Sequence, residues 1–404
     1  MKVMQINCVY KKGSTGKIMY DIHTELKKRG IESVICYGRG EKIEEENVYK
    51  TSSEILAKFN NVKSRFTGMP YNGSFFATNK LLKIIKKEKP DVVHLHCING
   101  YFVNIYRLLK LLKRNKFPTV VTHHAEFFFT GNCGHSYECE KWKTGCGNCP
   151  SVKKAVNSYY FDFTKKNYSL MKRAFSGFSN ICSVSVSKWL EDRTYKSPIF
   201  ENLPHTTVLN GLDADIFHPQ SGALELKQKL GISNDKKVIL HVTASFASEV
   251  KGGKYVIELA KRIGDKAVIV VVGNRETPTD LPQNIIAVGR VENQTELARY
   301  YTMADLAVIT GKRETFSMPI AESLCCGTPS VGFRAGGPEA IAIKEYTEFA
   351  DFADIDALTE IAVKWLDKKS EFKNISEDAI SKYKKEKMVQ EYIDIYYKLQ
   401  EGKD

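Results

Sequence analysis

The sequence predicts an α/β protein of two doubly wound, Rossmann-like domains facing a cleft, with a C-terminal helix that returns to the first domain. Three observations carry this prediction. Each half opens with an apolar run that reads as a buried strand, "KVMQIN" in the first and "KKVILHVTASF" in the second. Each run gives way to a glycine-bearing loop and then a helical pattern, the order from which parallel sheets are built. Finally, 404 residues, 43% hydrophobic and 26% charged, are enough to bury two ordinary cores. The linker falls near 205–222, around Asn210-Gly211 and Pro219. The domains are then 1–205, with 388–404 packed back on it, and 206–387.

In the first domain the opening strand breaks into the loop Gly13-Ser14-Thr15-Gly16. A helix over 17–29 follows and stops at Gly30, then "ESVICYG" makes a second strand. A loop at that place is a usual seat for phosphate or sugar, although many α/β proteins need its glycines only for the turn. Residues 54–89 alternate aromatic and basic side chains, and "KLLKIIKKEKP" reads as a basic amphipathic helix. Such a helix suits an anionic membrane surface, or equally a core-facing helix with a solvated lysine side. "DVVHLH" and "PTVVTHH" are buried strands ending in His94 and His96 and in His123 and His124. Histidines at strand carboxyl ends stand where a ligand would, yet a buried histidine is often only a satisfied structural group. Residues 151–178 read as helical and basic, before the strand "NICSVSVS".

The second domain continues with a loop over 247–253, a helix over 254–263 and the strands "KAVIVVVG" and "NIIAVGR". Its decisive stretch is 306–341: a strand, a polar loop, a short helix with Pro319 in its first turn, and a second strand over 330–333. Ser317 is placed to cap that helix. Glu314 on the loop and Glu322 on the helix stand at the mouth of the sheet, beside the N–H groups of Thr315, Phe316 and Ser317. Acids that hold hydroxyls, next to donors that hold a diphosphate, suit a nucleotide-sugar. The same acids would also simply complement a helix dipole. A terminal helix carries Met388, Tyr392, Ile393, Tyr396 and Leu399 on one face.

Residues 1–200 hold 34 Lys and Arg against 16 Asp and Glu, whereas the whole chain nets only +13. A basic half suggests an anionic partner: acidic phospholipid, a lipid diphosphate or nucleic acid. The alternative is a lysine-rich solvated surface. The basic residues are spread rather than striped, and the aromatics match no RNA module, which argues against nucleic acid. No apolar run approaches the roughly 20 residues of a membrane span, and "MKVMQINCVY" has no signal core. A cytoplasmic protein is expected, with peripheral attachment to the inner face of the membrane compatible with its charge. Of ten cysteines, Cys133, Cys139, Cys146 and Cys149 cluster within 17 residues. In a reducing compartment they would form a structural zinc site that staples the loop, or remain free thiols.

Taken together, the motifs resemble the GT-B fold, and specifically the retaining glycosyltransferases of family 4. "ETFSMPIAE" is similar to that family's two glutamates separated by seven residues, and "GTPSVGFRAGGPEAI" to the segment that follows. "VLNGLDADIFHP" resembles its interdomain signature and "KGGKYVIELAK" its donor-phosphate lysine helix. In the first half "STGKI", "PDVVHLHCINGYFVNI" and "TGNC…CEKWKTGCGNCP" resemble a bacterial subgroup that builds surface polysaccharide.

The resemblance implies a role for each matched residue. Glu314 would hold hydroxyls of the donor sugar, and Glu322 the nucleotide ribose. Lys251 would neutralise the leaving diphosphate, with help from the N–H groups of Thr315–Ser317. His123 would stand at the donor sugar, and Gly13 to Gly16 near the diphosphate and acceptor. Transfer would proceed with retention, by front-face departure and without a catalytic metal. The donor would be a UDP-sugar, with GDP as the alternative, and the acceptor a saccharide or a lipid-diphosphate-linked oligosaccharide of capsular polysaccharide biosynthesis. A GT-B nucleotide-sugar epimerase is the nearest enzymatic rival. Two departures stand out: "HVTASFASEVK" lacks the arginine usual before the lysine, and His124 follows His123 where an acid is common.

Overall fold

The structure is a computed structural model that describes residues 1–273 and 280–402. The chain forms two compact units, one of Met1–Leu209 with Met388–Asp404, the other of Asn210–Lys387.

The first unit is built on seven parallel strands: β1 (Lys2–Asn7), β2 (Glu32–Tyr37), β3 (Val48–Lys50), β4 (Val92–Leu95), β5 (Thr119–His123), β6 (Ile181–Ser185) and β7 (His205–Thr207). Their spatial order is β3-β2-β1-β4-β5-β6-β7, so the winding reverses between β1 and β4. Val3 of β1 lies opposite Ser33 on one side and Val92 on the other. The connecting helices are α1 (Gly13–Lys28), α2 (Glu54–Thr67), α3 (Phe75–Glu88), α4 (Ile105–Arg114), α5 (Thr164–Phe175) and α6 (Lys188–Tyr195). Side-chain caps begin three of them: Ser53 accepts from the Leu56 N–H, Asn104 from Arg107 and Ser187 from Leu190.

Two local expectations change. The glycine loop is not a loop throughout, because α1 already starts at Gly13. Lys11 adopts a left-handed φ of 61° and its N–H bonds the Gly16 carbonyl at 3.0 Å, which turns the chain straight into the helix. The stretch 151–178 is not one helix either. A π-helical turn, Val152–Val156, ends at Asn157 with a left-handed φ of 57°, and α5 starts only at Thr164.

The second unit holds six parallel strands: β8 (Lys237–Val242), β9 (Ala267–Val272), β10 (Ile285–Gly289), β11 (Leu306–Ile309), β12 (Ser330–Phe333) and β13 (Thr347–Ala350). Their order is β10-β9-β8-β11-β12-β13, which reverses between β8 and β11. The edge strand β13 was not anticipated from the sequence. It is four residues long with two half-buried side chains, too little pattern to be read alone. The helices are α7 (Ala223–Lys229), α8 (Gly253–Ile263), α9 (Gln294–Met303), α10 (Met318–Cys325), α11 (Gly337–Ile341), α12 (Ile355–Trp365) and α13 (Ile375–Tyr383). Val256, Leu259 and Ile263 of α8 and Leu358 and Ala362 of α12 cover one face of the sheet.

The last helix, α14 (Lys385–Glu401), belongs to the core of the first unit from Met388 onward. Met388, Val389, Tyr392, Ile393 and Tyr396 are buried against Val3, Ile18, Ile22, Val92, Val120 and Val184. Polar contacts set its register. Tyr396 Oη lies 2.7 Å from His94 Nδ1, and Tyr392 Oη lies 3.0 Å from Thr122 Oγ1. Thr122 Oγ1 in turn lies 2.7 Å from His94 Nε2, so both nitrogens of this buried ring have partners. We expect Tyr396→Phe to lower unfolding free energy by about 1–3 kcal/mol in urea titration, because it leaves His94 Nδ1 buried without a partner.

Candidate active site

In a doubly wound sheet the loops leaving the carboxyl ends of the strands part where the winding reverses, and a ligand crevice opens there. In the second unit that place is the end of β8 and β11, and the loops leaving these two strands carry Lys251 and Glu314. The loops are bound to each other. Lys312 N–H donates to the Val250 carbonyl at 2.9 Å, and Thr310 Oγ1 lies 3.2 and 3.1 Å from the carbonyls of Lys251 and Gly252. Gly252 makes this closeness feasible. It has φ of 76°, and a Cβ there would lie 2.1 Å from the Thr310 carbonyl oxygen.

Lys251 Nζ donates to Glu314 Oε1 at 2.8 Å, and the side chains are 42% and 25% exposed. The two residues singled out for the diphosphate and the sugar therefore share one place. Glu314 is fixed by its backbone as well. Its N–H bonds the Ala335 carbonyl and its own carbonyl accepts from Gly337 N–H, at 3.1 and 2.8 Å. Gly337 must be glycine at this approach, since a Cβ would stand 2.3 Å from the Thr315 carbonyl carbon. Glu339 anchors the turn from below, accepting from the N–H groups of Ala335 and Gly336.

Thr315, Phe316 and Ser317 are buried and lead directly into α10. The Phe316 ring packs edge-on against Tyr383. Ser317 occupies the capping position, but its hydroxyl does not cap. Its φ of 83° turns the backbone left-handed, and its buried Oγ has no partner among the described residues. A strained, orphaned hydroxyl at a ligand crevice is where functional sites keep such geometry. Glu322 follows on α10, and its Oε2 accepts from the buried Tyr301 hydroxyl at 2.8 Å. Tyr301 was not anticipated, as nothing in the sequence ties α9 to this glutamate. His241 at the end of β8 was also missed. Its Nδ1 lies 3.0 Å from the Val308 carbonyl, and its buried Nε2 has no partner among the described residues. Burial, with the Lys251 charge nearby, lowers its pKa to about 4. The strand-end rule applied to the other histidines would have found it in "VILHV".

In the first unit β5 ends at His123, and His124 opens the loop that follows. Phe128, Phe129 and Phe200 wall the buried His123 ring; its Nε2 lies 2.8 Å from Ser183 Oγ, and its Nδ1 has no hydrogen-bond partner among the described residues. His124 Nε2 instead lies 3.2 Å from His96 Nδ1, and His96 Nε2 lies 3.1 Å from Gln5 Oε1. A Gln5 acceptor requires an N–H on His96 Nε2. In a neutral ring Nδ1 then accepts from His124 Nε2–H. Gly13 and Gly16 stand on the first turn of α1, close to where β1 and β4 diverge.

In the cysteine segment Cys133, Cys139, Cys146 and Cys149 are unbridged thiols. Burial, and then the neighbouring thiols, raise Cys133 and Cys146 above the ordinary thiol value. Among the described residues no three His, Cys, Asp or Glu side chains are placed to hold a metal ion. Cys146 Sγ accepts from Gly131 N–H and Cys149 Sγ from Ser151 N–H. The loop is also tied by charge. Arg193 Nε donates to the fully buried Glu126 at 2.6 Å, its Nη2 donates to Ser136 Oγ at 2.6 Å, and its guanidinium stacks near Trp142 and Trp189.

With this geometry in view, family models match both halves. Residues 15–189 match "Glycosyltransferase Family 4" and residues 223–386 match "Glycosyl transferases group 1". The chain carries two glycosyltransferase domains. It is 27% identical over 204 residues to N-acetyl-alpha-D-glucosaminyl L-malate synthase of Bacillus anthracis, covering 47% of this chain and 53% of that protein. The chain thus spans about half of that relative's length. It is 20% identical to the putative colanic acid biosynthesis glycosyl transferase WcaC of Escherichia coli, over 99% of this chain and all of WcaC. Among solved structures, a sucrose-phosphate synthase from Thermosynechococcus elongatus superposes with a TM-score of 0.71 at 14% identity, covering both chains fully. HepE of Anabaena, solved with UDP, superposes with a TM-score of 0.66 at 14% identity over 98% of this chain and all of that one. These likenesses show the GT-B fold class, two Rossmann-like domains.

Two outcomes follow for the glycosyltransferase domains. Arg193→Ala should destabilise the first unit by about 3–5 kcal/mol in denaturant melts, since it leaves the buried Glu126 carboxylate without its counter-charge. Acid should also destabilise the fold. Burial lowers His123 to about 3 and His124 and His23 to about 4, from an ordinary value near 6.5. Between about pH 6.5 and 4 the unfolded chain binds protons that the folded one does not, so stability falls as pH falls through that window. The urea midpoint should therefore be lower at pH 4.5 than at pH 7.

Proposed function

We propose that this protein is a retaining glycosyltransferase that moves a sugar from a nucleotide-sugar, in the first instance a UDP-sugar, to a saccharide or lipid-diphosphate-linked acceptor of surface polysaccharide. The observation that carries the reading is the Lys251–Glu314 pair at 2.8 Å, held where β8 and β11 part. Both family models and the full-length likeness to WcaC support glycosyl transfer, and the likeness to HepE solved with UDP supports the choice of donor.

Departure of a nucleoside diphosphate builds negative charge on phosphate oxygen and positive charge at the anomeric carbon. Lys251 and the N-terminus of α10 meet the first charge, and Glu314 meets the sugar hydroxyls and the second. In the free protein Glu314 holds the lysine. An arriving diphosphate competes for Nζ, and Glu314 then turns to the sugar. Glu322, steadied by Tyr301, takes the ribose hydroxyls. Lys251 and the helix amides do what a divalent cation does elsewhere, so no metal is required in the step. The acceptor hydroxyl attacks on the face from which the diphosphate leaves, and its proton passes to phosphate.

Removing one well-placed donor from such a site typically costs about 3 kcal/mol, a factor of about a hundred or more in rate. Lys251→Ala should therefore lower turnover at least a hundredfold while donor affinity changes less, measured by nucleotide release with a saturating UDP-sugar and an acceptor. Near-normal turnover would remove Lys251 from the mechanism. Product formed equally well without acceptor would replace transfer by epimerisation.

A further inference from the structure

A shallow trough of roughly 900 Å³ runs between α3 and α4 in the first unit, remote in sequence from the residues assigned to the donor. Its walls are cationic on both sides. Lys80, Lys83 and Lys86 project from α3 at three-residue spacing, and Arg107, Lys110 and Arg114 from α4 at spacings of three and four. No carboxylate lines the trough, and among the described residues none of the six cations makes an ion pair. Arg107 lies with its guanidinium 4.3 Å from the Phe75 ring centroid, and its Nη1 is buried with no hydrogen-bond partner among the described residues. A buried guanidinium N–H without an acceptor, beside five further cations, calls for an anion.

Next to this trough lies an apolar surface that no described residue covers. Ile55, Phe59, Val62 and Phe66 of α2 recur at spacings of four, three and four, so they form one stripe along the helix. Ile55 is 79% exposed and Phe59 65% exposed, whereas the opposite side of α2 buries Ala57 and Ser64. By the same helical geometry Lys58 and Lys63 flank the stripe on either side. The stripe continues into Tyr159 and Tyr160, whose rings contact Phe66. At the other end Asn60 of α2 bonds Ser74 Oγ at 2.9 Å, which brings the start of α3 alongside. There Phe76 is 80% exposed at the rim of the trough.

Apolar side chains in a row, bordered by lysines and adjoining a trough lined with cations, are what a surface needs to sit in the headgroup layer of an anionic bilayer. The rings enter the acyl boundary while the cations take lipid phosphates. We propose that α2, α3 and α4 form a membrane-docking face for anionic phospholipid, with headgroup phosphates seated in the α3–α4 trough and Phe59, Phe66 and Phe76 inserted beside them. No helix among the described residues is long and apolar enough to cross a membrane, so the attachment is interfacial. An interfacial face of this kind holds the protein at the surface where lipid-linked saccharides are found, but it does not depend on the donor chemistry proposed above.

The test is co-flotation of the full chain with vesicles, with no donor or acceptor present, so that its outcome is separate from any activity. Vesicles of phosphatidylglycerol and phosphatidylcholine should carry the protein up the gradient, vesicles of phosphatidylcholine alone should not, and added salt should weaken the binding. The double variant Lys83→Glu, Lys110→Glu should reduce partitioning at least about tenfold. Phe59→Ser with Phe76→Ser should reduce it at equal salt dependence, with melting temperatures unchanged because all four side chains are on the surface. Wild-type protein that ignores phosphatidylglycerol overturns the proposal, as does undiminished binding by the lysine variant. Tight, salt-sensitive binding of RNA without vesicle binding would reassign the trough to nucleic acid. A dimer abolished by Phe59→Ser would reassign the stripe to a second copy of the chain. Inorganic phosphate that protects the trough while vesicles stay unbound would reduce it to a free-anion site.

Discussion

The parting of two loops at the end of β8 and β11 is the constraint on which the candidate site rests. In a parallel sheet every loop leaves a strand at the same end, so chemistry-bearing residues far apart in sequence collect at the edge where winding reverses. Lys251 and Glu314, 63 positions apart, meet there at 2.8 Å. The meeting depends on backbone more than on charge. Gly252 lets one loop lie against Thr310, and Gly337 lets the following turn lie against Thr315. A partly exposed ion pair alone would contribute little to holding either loop.

Around this crevice the structure leaves polar atoms unpaired that a merely stable protein would satisfy. Ser317 Oγ and His241 Nε2 are both buried without partners among the described residues, close to the loops that carry the ion pair. In the first unit some buried groups are unpaired too, Arg107 Nη1 and His123 Nδ1 among the described residues, while others are saturated. His94 is fully paired through Tyr396 and Thr122, and Arg193 is matched to Glu126 and Ser136. Saturated polar networks give a core one arrangement, while unsaturated ones at a strand end are suited to a ligand that completes them.

The first unit also shows how one sheet serves two surfaces. Its α14 and α1 bury one face with aliphatic and tyrosine side chains, while α2, α3 and α4 turn cations and aromatic rings outward. The excess of basic residues in the first 200 positions is thus partly concentrated in a trough of the fold rather than scattered evenly. The GT-B glycosyltransferase domains are joined by a chain that returns, so that its last helix completes the core begun by β1.

Both the alternation of strands and helices and the pairing of Glu314 with Glu322 in one motif were legible in the sequence, because period and spacing are local properties. The return of 388–404 was legible for the same reason, as an apolar face needs a partner. What the sequence did not settle was how local pieces orient. How the His123 ring is packed depends on Phe128, Phe129 and Phe200, and how the cysteine loop is held depends on the Arg193–Glu126 pair. Whether Ser317 caps its helix depends on a left-handed φ that residue spacing does not reveal, and Tyr301 reaches Glu322 only through packing of α9 on α10. Composition and periodicity determine which elements form. Only tertiary contact decides which atoms of those elements are spent on the fold and which are left for chemistry.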